Sequence, residues 1–453
     1  MSIQKIEHVG LMVKDIETSI QFYTKVLGLK HLRTMPHSNG LITLAFLGYP
    51  NSNETVIELI QNYNENLPAE GKVHHIAFTV TDIEVEFERM KQLPEVTLQD
   101  EELIRLPDGS LYFFFYGPDG EFLELFQPGN ISPYPLQFQP EFKERIWGGR
   151  GLEKFGLTPP EGAIGEGWMI GDHPNGITKV INGPLAGTGL DIIREQFGSA
   201  WFGKHGVSSK SDRFPLLIKL LDCNDDLSVQ VHPSDDYDQL PAGELGKTEM
   251  WYILSAEPNA KIIYGLKENV SRDQLAKAIA EGNIMDSLQE VSVKAGDAFY
   301  IPAGTVHALC SGVVVAEIQQ NSDTTYRLYD YNRLGLDGQL RELHIADSLA
   351  VVAYEGAGAS YVDTTAMQAG QWLTIATSPY FIVEKGVLSE STTLTTTKDS
   401  FEIIVIAEGT GTISWGNEQQ ELTAGQCFLI PATLGEYTLN GNLVVLRSVV
   451  PGE

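Results

Sequence analysis

The chain repeats itself early. IEHVGLMVKDIETSIQFY, from Ile6, is answered by VHHIAFTVTDIEVEFERM, from Val73. Each copy opens with the alternation of a strand, passes an Asp-Ile-Glu turn that can cap a helix, and continues with apolar residues at helical spacing. Alternating apolar strands follow each helix, ending in VIELIQ in the first copy and FLELFQ in the second. The copies close near Gln127, where PGNISPYP forms a linker rich in turn-formers.

Beyond the linker the rhythm changes. Short strands rich in Val, Ile and Phe, such as FPLLIKLLDC, LSVQVHP, MWYILS, AFYIPAG and VVVAEIQQ, alternate with Gly, Asp and Pro turns, which predicts an all-β sandwich or barrel. A helical interruption is expected from about Ser271 to Gln289, where Leu275, Ile279, Ile284 and Leu288 recur at helical spacing. A fainter repeat relates VKAGDAFYIPAGTVHAL, from Val293, to LTAGQCFLIPATLGEYTL, from Leu422. His307 of the first aligns with Glu436 of the second, so two cupin-like jelly rolls are expected, only the first keeping a metal site. The expected fold class is multi-domain: an N-terminal α+β repeat of βαβββ units, then a mainly β double jelly roll with a helical insertion. The expected domains are 1–130, 131–355 and 356–453.

Composition narrows the partners. The 453 residues carry a formal net charge of -29. Such acidity repels nucleic-acid backbones and anionic lipid, so neither nucleic acid nor membrane is an expected partner. A phosphorylated substrate would need its own local Lys and Arg. Cys223, Cys310 and Cys427 form no CxxC pair and read as reduced, mostly buried thiols. The N-terminus lacks the features of a secretory signal, and no apolar run approaches the roughly 20 residues that span a bilayer. The expected location is cytoplasmic.

The N-terminal repeat sets like residues at like positions. His8 and His75 open the first strands of the two copies, and Glu58 and Glu124 occupy their last strands. If the copies pair about a pseudo-twofold, two imidazoles and two carboxylates converge, a set that suits a divalent ion such as Zn, Ni, Mn or Fe. A lone His at a strand start is more often a packing residue; four residues in register across a repeat are harder to dismiss. Strand alternation sends His74 to the other face. HVGLMV, VIELI, HIAFTV and GPDGEFLELFQ resemble the glyoxalase, or vicinal oxygen chelate, superfamily over about residues 3–128. The resemblance implies metal ligands at His8, Glu58, His75 and Glu124, as in lactoylglutathione lyase. It also suggests a homodimer through this domain, because glyoxalase-type domains often pair.

The second constellation is LSVQVHP, GELGKTEMWY and IPAGTVHAL. Gln230 and His232 lie on one face of a strand, Glu249 opens the next and His307 begins another, which suits zinc with one open position. AEIQQNSDTTYRLYDYNR, from Ala316, sets two Arg, two Asp and a Glu among aromatics, where a core strand would be apolar. Arg327 and Arg333 are expected at the barrel mouth, facing an anionic substrate through their paired donors. Together with FKERIWGG, GEGWMIGDHPNG and FPLLIKLLDCNDDLSVQVHP, these motifs resemble the short bacterial type I mannose-6-phosphate isomerases from about Pro135 to the C-terminus.

That resemblance implies zinc at Gln230, His232, Glu249 and His307, with Gln230 dispensable. It implies a catalytic Arg327, active-site Lys247 and Glu317, and Ser228, Lys219 and Arg333 near the phosphate or the site wall. The sequence GEGWM departs from the family's usual GESWE, and as a loop at the entrance it would bear on specificity. The implied reaction moves a proton between C2 and C1 of mannose 6-phosphate through an enediol. The base could be Lys247 with a lowered pKa, Glu317, or a metal-bound hydroxide. Rival readings are a cupin sugar sensor without turnover, and a main activity in the N-terminal domain as a lactoylglutathione lyase or antibiotic-modifying enzyme. In a third, that domain is only a scaffold.

Overall fold

The computed structural model describes residues 3–50, 55–63, 73–94, 96–106, 109–116, 122–129, 131–207 and 213–452. Residues 117–121 of GPDGEFLELFQ and residue 130 of the linker lie outside these. The chain forms two compact units, Met1–Ser132 with Lys179–Gln196, and Pro133–Thr178 with Phe197–Glu453.

In the first unit the duplication becomes one sheet. The first copy supplies β1 (Ile3–Val13), α1 (Ile16–Leu27), β2 (Lys30–Pro36), β3 (Thr43–Gly48) and β4 (Thr55–Gln61). The second supplies β5 (Val73–Val80), α2 (Ile83–Lys91), β6 (Thr97–Leu98), β7 (Ile104–Arg105), β8 (Leu111–Tyr116) and β9 (Phe122–Gln127). The order is β2-β3-β4-β1-β5-β9-β8-β6, with β7 on β8. The two first strands pair antiparallel at the centre, and each lies parallel to the last strand of its own copy.

Both helices start as the Asp-Ile-Glu turns predict. Asp15 accepts from Thr18 N–H at 2.7 Å and Asp82 from Val85 N–H at 3.1 Å. The last strands finish the job: Gln61 Oε1 accepts from Ile16 N–H at 2.6 Å, and Gln127 Oε1 from Ile83 N–H at 2.8 Å. Ile16 and Ile20 of α1 pack on Ala45, Leu47 and Leu59, while Ile83, Phe87 and Met90 of α2 pack on Phe113 and Leu125. The helices therefore claim one face of the sheet. Strand alternation turns the neighbours of Leu59 and Leu125, namely Glu58, Ile60, Glu124 and Phe126, to the other face.

In the second unit two sheets face each other. One has the order Glu141–Gly149, Ile164–Ile170, Leu216–Cys223, Val313–Gln320, Glu249–Ala256, Asp297–Ile301, Ser360–Asp363. The other has the order Leu288–Ser292, Lys261–Leu266, His307–Leu309, Val229–Val231, Tyr326–Tyr329. Trp251, Phe299 and Val315 of the first meet Ile262 and Leu309 of the second in a common core. The helical interruption appears as Arg272–Glu281, capped by a reciprocal Ser271–Gln274 box, and a 3-10 turn Ile284–Ser287. Helices at Leu190–Phe202 and Ile345–Val351 were not expected. GEGWM, expected as a loop, is a strand with every residue buried, because Ile164–Ile170 pairs on both edges.

The C-terminal strands form a further sheet, Glu402–Trp415 pairing with Cys427–Ile430 and Glu436–Val449 around Ile404, Phe428, Tyr437 and Val445. The strand Leu136–Gln139, directly after the linker, joins this sheet through Cys427–Ile430. Cys223, Cys310 and Cys427 are buried and unbridged. Among the described residues no helix is long and apolar enough to cross a membrane.

Candidate metal centres and active site

In the second unit, facing strands bring His232, Glu249 and His307 together in full burial. His232 Nδ1 lies 2.9 Å from the Thr324 carbonyl, and His307 Nδ1 lies 2.8 Å from the Thr305 carbonyl. A carbonyl only accepts, so each ring carries its proton on Nδ1 and leaves a lone pair on Nε2. The two Nε2 atoms face each other at 3.1 Å, and they lie 3.4 and 3.2 Å from the Glu249 carboxylate. Two lone pairs and a carboxylate at that spacing repel unless a cation lies among them. Glu249 Oε1 is buried with no hydrogen-bond partner among the described residues, and Oε2 has the Lys247 ammonium at 3.0 Å. Burial also keeps the imidazoles neutral, pushing His232 down to about 3 and His307 below its ordinary value. Separations of 3.1–3.4 Å are those of donors bonded to one ion at about 2.0–2.2 Å. The residues fit a divalent metal. Gln230 offers its amide 3.3 Å from His307 Nε2; turning the amide over would present oxygen instead.

Beside this centre lies a cavity of about 620 Å³ lined by Lys219, Ser228, Gln230, Lys247, Glu317 and Arg327 among others. Arg145 and Arg341 raise its cations to five, the local positive charge that a -29 chain needs for an anionic substrate. Lys247 donates toward Glu249 at 3.0 Å. Glu317 receives Trp251 Nε1–H at 3.0 Å on one oxygen, and Lys219 lies 3.3 Å from the other. Burial and the nearby Glu249 raise the Glu317 carboxyl above its ordinary value. For Lys247, burial lowers the ammonium's pKa, but Glu249 and Glu317 outweigh it and the net shift is upward. The lowered value envisaged for Lys247 as a base is thus reversed by its two carboxylate neighbours. Arg327 Nε is buried with no hydrogen-bond partner among the described residues.

Arg333 does not line the cavity. Asp330 holds its guanidinium at 3.0 Å and Asp225 lies at 3.4 Å. The same Asp330 anchors Arg341, which does line it. Glu166, Arg145, Arg341 and His344 are cavity residues to which no role was assigned from sequence; GEGW and FKERIW were the available signals for the first two. Glu166 sits between Arg145 at 2.6 Å and Lys219 at 3.7 Å, and accepts from Trp168 Nε1–H at 2.7 Å. Burial would raise its carboxyl, but these cations and the indole N–H hold it down at about 2.

The first unit gathers its four expected residues at one point. His8 Nε2 and His75 Nε2 are 2.9 Å apart. Glu58 Oε2 is 3.4 Å from each, and Glu124 Oε2 lies 3.2 Å from His8 and 3.0 Å from His75. Glu124 Oε2 is buried, and the two imidazole nitrogens lie within 3.2 Å of it. This donor set also fits a divalent ion. Burial lowers the His8 pKa, but Glu58 and Glu124 overcome it and raise it to about 10.

Local irregularity aims these rings. The β1–β5 register slips between Ile6 and Val9, and again past Gly10. Such bulges re-aim side chains. His74, expected on the opposite face, is consequently buried beside His75 and lines the same cavity. Gly10 pairs with both Glu58 and His75, and a Cβ there would fall inside the His75 ring. Gly10→Ala is therefore expected to displace His75 and cut N-terminal metal occupancy at least 10-fold while leaving the second centre loaded. Metal analysis by mass spectrometry of the intact chain checks this.

Two facing sheets with a buried His-Glu-His centre beside a cation-lined cavity define a cupin-type protein with a candidate metal site. The chain matches the type I phosphomannose isomerase catalytic domain over residues 136–261 and the mannose-6-phosphate isomerase cupin domain over 372–450. Residues 5–125 match the Glyoxalase/Bleomycin resistance protein/Dioxygenase superfamily. It is 40% identical to the mannose-6-phosphate isomerase of Streptococcus mutans, covering 69% of this chain and 98% of the relative. The crystal structure of the mannose 6-phosphate isomerase from Bacillus subtilis superposes with a TM-score of 0.64 at 38% identity, covering 69% of this chain and 99% of that one. A probable lactoylglutathione lyase of Vibrio cholerae is 34% identical, covering 28% of this chain and 93% of the relative. The chain belongs to the type I mannose-6-phosphate isomerases and carries a glyoxalase-superfamily domain at its N-terminus.

Proposed function

We propose that residues 131–453 interconvert mannose 6-phosphate and fructose 6-phosphate in a zinc-dependent reaction through an enediol. The supporting observation is the His232–Glu249–His307 centre beside a cavity lined by Gln230 and Lys247, which reach that centre, and by Glu317 and Arg327. Zinc, when bound by His232, Glu249, His307 and optionally Gln230, would polarise the substrate oxygen beside the reacting carbons.

The chain's own residues do the rest. Glu317, its carboxyl raised, takes the proton from C2 and returns it to C1. Lys219 and Trp251 N–H hold it in position. Lys247, kept as an ammonium, donates to a substrate oxygen. Arg327 places its free Nε–H against negative charge developing on the enediol. Arg341 and Ser228, which line the cavity, are assigned to the phosphate in place of Arg333, which does not. Retention of these proton-transfer groups favours turnover over a non-catalytic sugar sensor.

The domain division 1–130, 131–355 and 356–453 is proposed with it, as is a cytoplasmic location. His8, Glu58, His75 and Glu124 are proposed as a second divalent centre, whose activity would be a lyase of the lactoylglutathione type. A homodimer through this domain is consistent with exposed Ile6, Val73 and Ile76 on its central strands. The test is turnover of mannose 6-phosphate by the intact chain before and after chelation. Activity is expected to fall at least 100-fold and to return with zinc. Full activity in metal-free protein would overturn the metal role, and no turnover in zinc-loaded protein would overturn the isomerase reading.

A further inference from the structure

The arginines of the cavity in the second unit are held in different ways. A carboxylate anchors each of two: Glu166 accepts from Arg145 Nε–H at 2.6 Å, and Asp330 from Arg341 Nε–H at 2.6 Å. Arg327 has no such anchor among the described residues, and its buried Nε meets no acceptor. Its aim therefore depends on where its backbone is set.

That backbone lies on an open edge. Tyr326–Tyr329 is the outermost strand of its sheet and pairs on one side only, with Val229–Val231. An outermost strand leaves alternate N–H and C=O groups without a partner strand. Tyr326 and Leu328 are buried in an apolar core, so strand alternation turns Arg327 to the other face, and of the strand's four residues it alone lines the cavity. On the open edge one residue meets Arg327 twice. His344 N–H donates to the Arg327 carbonyl at 2.9 Å, and His344 Nδ1 accepts the Arg327 N–H at 3.3 Å. A backbone N–H only donates, so the ring proton of His344 lies on Nε2. His344 is itself fixed. It stands at the N-cap position of the helix Ile345–Val351, its carbonyl accepting Ser348 N–H at 2.8 Å. Leu349 and Val351 of that helix pack on the core that holds Tyr326 and Leu328.

We propose that His344 is a positioning residue for Arg327. It takes the place of the missing neighbour strand at the residue whose side chain must reach the substrate. It thereby fixes the base of a guanidinium that has no anchor at its far end. The inference rests on the isomerase reading above. Removing the imidazole deletes the bond to the Arg327 N–H and leaves the bond to its carbonyl, so the strand can rock about the remaining contact. A shift of about 1 Å at a catalytic group costs roughly 10²-fold in rate.

Steady-state kinetics with mannose 6-phosphate, on the intact zinc-loaded chain, test this. His344→Ala is expected to lower kcat about 10-fold to 100-fold and to change KM less than about 3-fold, because Arg327 acts on charge that develops after binding. His344→Asn sets Oδ1 where Nδ1 stands, accepts the Arg327 N–H and should recover most of that loss. In an Arg327→Ala background, His344→Ala should cost nothing further, since His344 acts only through Arg327. Thermal unfolding and circular dichroism report whether each variant is folded. If His344→Ala does not fold, His344→Leu, which occupies space but accepts no hydrogen bond, takes its place. Wild-type kcat in folded His344→Ala, with Arg327→Ala slow, would overturn the inference alone. So would His344→Asn as slow as His344→Ala, or the same loss from His344→Ala in the Arg327→Ala background. Wild-type turnover in Arg327→Ala would overturn the role given to Arg327, and the inference with it.

Discussion

Replacing Glu317 with glutamine is expected to lower kcat for mannose 6-phosphate by about 10²–10⁴-fold, the usual cost of losing a positioned acid–base group. The amide keeps the volume and can still accept from Trp251 Nε1–H, which lies 3.0 Å from the carboxylate. It cannot carry a proton between carbons. KM should change little and zinc should stay bound, since Glu317 is not among the converging donors. A loss confined to kcat identifies an interaction made on the way to the transition state. Turnover within 10-fold of wild type in zinc-loaded Glu317→Gln would remove Glu317 as proton carrier. Lys247, already an ammonium beside Glu249 and Glu317, would be tested next.

The second large effect concerns stability. Glu402 pairs with Ile430 as Glu249 pairs with Ile301, and each isoleucine precedes the Pro-Ala turn of the jelly-roll repeat. Glu402 thus occupies in the C-terminal sheet the position of a candidate ligand in the first barrel. Here a fork of Arg447 meets it at 2.6 and 2.8 Å, and Tyr437 donates to it at 2.5 Å. Glu384 takes a further Arg447 donor at 3.0 Å.

Arg447→Ala leaves the buried Glu402 carboxylate without its countercharge, which costs about 3–5 kcal/mol. The C-terminal sheet should lose hydrogen-exchange protection first, and the thermal midpoint should fall. Arg447→Met combined with Glu402→Leu is expected to recover much of the loss, because removing both charges leaves no unpaired one. A single variant as stable as wild type would mean that Glu402 is neutralised otherwise.

The duplication, both histidine–glutamate sets and the jelly-roll pattern were legible in the chain because each rests on local periodicity or on residues spaced along one strand. His8, Glu58, His75 and Glu124 could be paired across the repeat because equivalent positions of equivalent units must face alike. The common final Gln of VIELIQ and FLELFQ was equally visible, but its capping of α1 and α2 was not, because the bond spans more than 40 residues. His74 was misplaced because alternation assumes an unbroken ladder, and bulges break it. GEGWM passed for a loop because two glycines imitate a turn, whereas strands on both edges supply all its backbone partners.

Arg333 and Arg341 mark the boundary most clearly. Both lie near Asp330 in the sequence, and both are arginines that could meet phosphate. Only the folded chain decides which one has a place on the cavity wall. Residue types and strand parity therefore determined which chemistry this protein carries. Long-range packing decided which charges neutralise one another and which remain available, since the strength and direction of an ionic contact depend on neighbours brought together only by folding.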